Sequence, residues 1–168
     1  MIDRKAREKL VQLVRLFRDR QVTSEQLMNA IEQSPSDPTV CTVFEGIWRN
    51  YEYPYEYKLE GGFTASASER RFLNRCIVCL GMDVEIQMAP GIVGRMAALV
   101  QGKARERGTP NRSPVWPFES WANYQQSIEE LGIIEARERG LEHEFEMATA
   151  ELEEHRKESP EGPGPKVG

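Results

Sequence analysis

Cys76 and Cys79 stand three residues apart, the spacing of a redox dithiol or of half a zinc site. A redox pair works at a helix N-terminus, where the helix dipole lowers the thiol pKa. Here Phe72, Leu73, Cys76, Ile77 and Leu80 form one apolar stripe that places both thiols toward the C-terminal end of a helix, where the dipole acts the other way. Zinc needs two further ligands. No second Cys-x-x-Cys or Cys-x-x-His is present, and Cys41, which could approach from another helix, brings no His with it. The pattern therefore predicts that Cys76 packs as a small hydrophobe and holds no metal.

The two histidines, His143 and His155, lie twelve residues apart in a glutamate-rich stretch. Glu142-His-Glu-Phe-Glu146 is not the His-Glu-x-x-His of a zinc helix, and a solvated polar face accounts for both residues. The serines fall at caps, turns and polar faces, and none sits in a Gly-x-Ser-x-Gly elbow. Gly91 and Gly94 flank a helix start after an extended segment, the right place for an anion, but the third glycine or the Lys-Ser/Thr that cradles phosphate is missing. The reading is no catalytic residue, no metal ligand and no cofactor.

Two aromatic groups remain. Lys103, Arg105, Arg107 and Arg112 precede Trp116 and Phe118, a charge-plus-stacking combination that could hold single-stranded nucleic acid, although Glu106 interrupts the run. Tyr51, Tyr53, Tyr55 and Tyr57 alternate with Glu52, Pro54 and Glu56 along a segment that is extended if regular at all. Such aromatic residues either cover a core or form a contact surface. The candidate partner contacts are Tyr53, Tyr55, Tyr57, Trp116, Phe118, Leu141, Phe145 and Leu152.

The elements that must position these residues are mostly helices. Leu10, Leu13, Val14 and Phe17 make a single stripe over residues 3–20. Thr23-Ser-Glu-Gln26 and Ser66-Ala-Ser-Glu69 have capping-box form, and Asp37-Pro38 combines a good N-cap with Pro at the first helical position. Val40, Val43, Phe44, Ile47, Trp48 and Tyr51 keep helical spacing, with Gly46 inviting a close approach. Met82 to Met88 alternates apolar and polar, the one clean strand signal, and the Tyr segment is its nearest partner. From Leu131 the spacing Leu131, Ile134, Glu138, Leu141, Phe145, Ala148, Leu152 is a heptad seam with a charged intruder, and Gly132 and Gly140 are places to bend or break it.

Charge is polarised. Residues 1–20 carry seven Arg or Lys against Asp3, Glu8 and Asp19, whereas residues 119–158 carry twelve Glu against Arg137, Arg139, Arg156 and Lys157. The ends can complement each other within the fold or across a dimer. The longest apolar run, Met96 to Val100, is far short of the ~20 residues a membrane helix needs. With no signal-like N-terminus and three cysteines, the expectation is a cytoplasmic protein with no membrane partner.

Asp37-Pro38, Trp48 within Ile-Trp-Arg-Asn-Tyr, the Leu59-Glu60-Gly61 turn and Arg75-Cys-Ile-Val-Cys-Leu80 ahead of an extended segment ending in Pro90 carry one resemblance. Over roughly residues 5–90 this spacing is similar to that of a set of short uncharacterised bacterial proteins. Where members have acidic residues and a Trp-Pro pair, this chain has Tyr53-Pro54-Tyr55 and Ala89-Pro90. No activity is attached to the set, so the resemblance implies no function.

The expected fold is mostly α: a small helical domain (1–100) with a minor two-stranded element, a linker (101–117), a long acidic helical arm (118–158) and a disordered Pro/Gly-rich tail (159–168). Its expected role is that of a protein-interaction or assembly component without catalysis of its own, meeting a protein partner or a second copy through the arm. The alternatives are a nucleic-acid-associated protein using the basic linker and first helix, and an enzyme whose site the sequence hides.

Overall fold

The computed structural model describes residues 2–29, 37–51, 56–61, 64–83 and 113–159. Among them are six helices: α1 (Arg4–Arg18), α2 (Ser24–Asn29), α3 (Pro38–Tyr51), α4 (Ala67–Gly81), α5 (Trp121–Glu138) and α6 (Glu142–Glu158). Their ends follow local chemistry. Asp3 caps α1 by accepting from the Ala6 amide, and the Gln26 amide donates to Thr23 Oγ1 while Gln26 Oε1 accepts from the Thr23 amide. Asp37 Oδ1 accepts from the Thr39 amide at the start of α3, and Ser66 with Glu69 forms a complete capping box on α4.

Helix α4 is the axis of the molecule. Residues 73–80 are buried without a break, because α1, α3 and α6 pack around it. The polar residues in that run, Asn74 and Arg75, are enclosed rather than turned to water. Close approach is permitted at two glycines. A Cβ on Gly81 would lie 2.3 Å from Leu141 Cδ1, and one on Gly46 would lie 2.0 Å from Trp116 Cη2.

Helices α5 and α6 fold back on one another, and α6 lies on α4 and is ion-paired to α1 through Glu144. Leu131, Ala136, Leu141 and Ala148 join the same hydrophobic cluster as Leu10, Phe17, Leu73 and Ile77. Gly132 (φ 59°, ψ 159°) kinks α5, and Gly140 (φ 65°) turns the chain into α6. The heptad seam is therefore interrupted twice, and Ile134, expected inside it, is 72% exposed. Of the expected linker, only residues 113–117 lie among those described; the expected tail, apart from Ser159, lies outside them.

Two expectations need correction. No strand occurs among the described residues. The Tyr57 backbone pairs with Ser24 of α2 (Ser24 N to Tyr57 O 2.8 Å), and the Met82 carbonyl takes the Arg7 guanidinium (2.6 Å), so the groups a two-stranded ladder would use there are engaged elsewhere. Residues 52–55 and 84–88, the rest of that proposed pairing, lie outside the described residues. In α3 the inward stripe is Val40, Val43, Ile47 and Tyr51, whereas Phe44 and Trp48 pack edge-to-face on its flank (centroids 5.9 Å) and Trp48 is only half-buried.

Candidate functional site

Three buried ionic clusters organise the helices. The first holds the N-terminal end of α1 to α3 and α4. Arg7 is bidentate to Asp37 (Nε–Oδ2 2.7 Å, Nη2–Oδ1 3.1 Å), and the Asp3 amide also donates to Asp37 Oδ2 (2.9 Å). Burial opposes ionisation of Asp37, but these donors win and hold its carboxyl below the usual carboxylate range.

The second cluster joins α1 to α6. Glu144 receives Arg15 Nε at 3.0 Å, Arg15 Nη2 at 2.8 Å and Arg18 Nη1 at 2.9 Å. Arg15 also donates to the Gly140 carbonyl at 2.6 Å. Burial again opposes ionisation, and the two guanidinium groups again outweigh it, lowering the Glu144 pKa. The basic first helix and the acidic final helix thus meet within one chain.

The third cluster joins α4, α5 and α6. Arg75 pairs with Glu151 and donates from Nε to the Trp116 carbonyl (3.1 Å), while the buried Tyr124 hydroxyl donates to Glu151 Oε2 (3.2 Å). Burial and the adjacent Glu151 carboxylate push the Tyr124 phenol upward. Beside this cluster a small cleft of about 190 Å³ is lined by Arg71, Glu154, His155, Glu158 and Trp121 among others. The His155 ring stacks on Trp121 at 3.7 Å and 8°. Carboxylates and an imidazole in one cleft are the ingredients of acid–base chemistry. Yet the space is below the ~300–1,000 Å³ of ordinary ligand sites, and Glu151 and Glu154 are already paired to Arg75 and Arg71.

The cysteines lie away from this cleft's lining. Cys76 and Cys79 are buried and no disulfide joins them; burial pushes the Cys79 thiol up to about 12. Among the described residues no group of three or more His, Cys, Asp or Glu is placed to hold a metal ion.

The sequence-selected contact residues scatter. Tyr57, Phe118 and Leu141 are buried in the core, the Tyr57 hydroxyl donating to the Tyr51 carbonyl at 2.9 Å. Trp116, Phe145 and Leu152 pack partly buried against the same core. Tyr53 and Tyr55 lie outside the described residues, as do Lys103, Arg105, Arg107, Arg112, Gly91 and Gly94.

A different pair stands out. Ile133 (39%) and Ile134 (72%) are the large hydrophobic side chains exposed among the described residues. They follow the Gly132 kink directly and line an open depression of about 650 Å³ with Leu131, Glu135, Glu138 and Arg139. The sequence held a signal for them: with Gly132 at positive φ, the residues after it leave the phase of the preceding helix.

No protein-family model, curated protein or solved structure matches this chain. None of the helices among the described residues is long and apolar enough to cross a membrane.

Proposed function

We propose that this protein is a protein-interaction or assembly component that meets its partner at the α5 elbow, residues 131–139. The observation carrying this reading is the adjacent Ile133–Ile134 pair, put outside by a glycine-only backbone turn while the carboxylates buried in the fold are ion-paired within the chain. Exposed apolar residues in a contiguous patch are the ordinary mark of a binding surface. A contact there leaves the fold intact, because neither isoleucine belongs to the core cluster.

The nucleic-acid reading has less support. Of the α1 arginines, Arg4 pairs with Asp83, Arg7 with Asp37, and Arg15 and Arg18 with Glu144, so the first helix presents little unpaired guanidinium to a phosphate backbone.

The test is cross-linking and recovery from the native host with wild-type protein and an Ile133→Ser/Ile134→Ser variant of equal thermal stability. The expected result is a discrete protein recovered with the wild type and lost with the variant. Recovery of the same proteins by both would end this reading.

A further inference from the structure

The elbow has a charge as well as an apolar surface. Residues 129–142 contain five glutamates (129, 130, 135, 138 and 142) and two arginines. Both arginines are committed. Arg137 Nη2 lies 2.5 Å from Glu142, and Arg139 donates to the Gly81 carbonyl (2.7 Å) and to Asp83 (2.8 Å) while also pairing with Glu135. Glu138 is exposed and lines the depression one helical turn beyond Ile134. Among the described residues that line the depression, Glu135 and Arg139 pair with each other and Glu138 is left over, so this rim is net negative.

We propose that the occupant of this elbow is a positively charged amphipathic helix of a partner protein, its apolar stripe on Ile133 and Ile134 and its flanking Lys or Arg side chains over Glu138 and neighbouring glutamates. The inference rests on the interaction reading above. Charge complementarity selects the partner. A second copy of this chain would bring the same glutamates to face these, and nucleic acid or an anionic bilayer would bring phosphate; each juxtaposes like charges. The depression is open, suited to a helix laid across it with residues at i, i+3 and i+4 as anchors.

The experiment uses full-length protein with labelled isoleucine methyl groups, titrated with two synthetic helical peptides of about 18 residues, longer than the ~12–15 at which isolated helices are marginal. Both share one leucine stripe; one carries Lys and Arg on its other face, its twin Glu. The basic peptide is expected to shift the Ile133 and Ile134 methyl signals and to bind at least about tenfold more tightly than the twin. That advantage should shrink as salt rises above 0.15 M, where the Debye length is ~8 Å. Ile134→Ser should remove the binding. Equal affinity for both peptides would overturn the basic partner while leaving the elbow as a surface. No methyl shift with either peptide would overturn the helix-docking proposal. Shielding of the Ile134 methyl from a soluble paramagnetic agent in the free protein would overturn both proposals, because another part of this chain would then cover the elbow.

Discussion

The indole of Trp116 occupies the volume that a side chain at position 46 would need: a Cβ on Gly46 would lie 2.0 Å from Trp116 Cη2. The ring is held there by stacking on Phe72 (centroids 5.6 Å, 20°). Gly46→Ala should therefore destabilise by about 1–3 kcal/mol through overpacking, outweighing the ~1 kcal/mol that Ala gains over Gly in a helix. Urea denaturation of Gly46→Ala, Trp116→Leu and the double variant checks this; purely additive losses would show that the two residues do not meet.

The same contact separates two tryptophans. Trp116→Ala should cost about 3 kcal/mol, in the range for truncating a well-packed aromatic. Trp48→Ala, half-buried beside Phe44, should cost only about 1 kcal/mol. Equal losses on chemical denaturation would place Trp48 in the core after all.

Acid should unfold the protein partly through Glu144 and Asp37. Both carboxyls are lowered in the fold relative to unfolded values of ~4.3 and ~3.9. Their contribution is complete above about pH 5 and is lost as pH falls through the folded-state values. Glu144→Gln should lose about 2 kcal/mol at pH 7, less than the ~3–5 kcal/mol of a fully enclosed broken pair, because Arg15 and Arg18 keep some access to water. The gap between variant and wild type should narrow from pH 5 to pH 3. A gap independent of pH would show that folding leaves the Glu144 carboxyl at its unfolded pKa.

Thiol chemistry should separate the cysteines. With burial pushing the Cys79 thiol up to about 12 and Cys76 enclosed, an aromatic disulfide reagent at pH 8 should leave both unmodified until denaturant is added. Chelator should not change the melting temperature. Rapid labelling of Cys79 in the native protein, or about one zinc per chain, would contradict this burial.

Gly132→Ala should cost about 1–3 kcal/mol, since φ 59° with ψ 159° is a backbone region almost closed to residues with a Cβ. Calorimetry on the purified variant provides the check; an unchanged melting temperature would mean that α5 runs straight through this position.

Helix ends were legible in the sequence because their causes are local. Thr23 with Gln26, Ser66 with Glu69, and Asp37 before Pro38 each act within a few residues. The inward face of α3 was not legible, because Trp116, which settles it, arrives from far along the chain. Asn74 and Arg75 lie outside the apolar stripe of α4, and their burial depends on partners far along the chain, Glu144 and Glu151 on α6. Ile134 fitted a seven-residue repeat, and only the turn at Gly132 takes it out of phase. Of the candidate contact set, Tyr57, Phe118 and Leu141 serve the chain's own core.

The pairing of α1 with α6 has a consequence for synthesis. Arg15 precedes Glu144 by 129 residues. At roughly 5–20 residues per second, the ribosome delivers the carboxylate some 6–25 s after the guanidinium. Helix α4 is complete at Gly81, 63 residues before Glu144, so for roughly 3–13 s of that interval the side of α4 that α6 will cover is bare on the nascent chain. A chaperone that recognises apolar helices has its opportunity in that window, and Glu144→Gln, which weakens the clasp without altering α4, should lengthen the association of the emerging protein with such a chaperone.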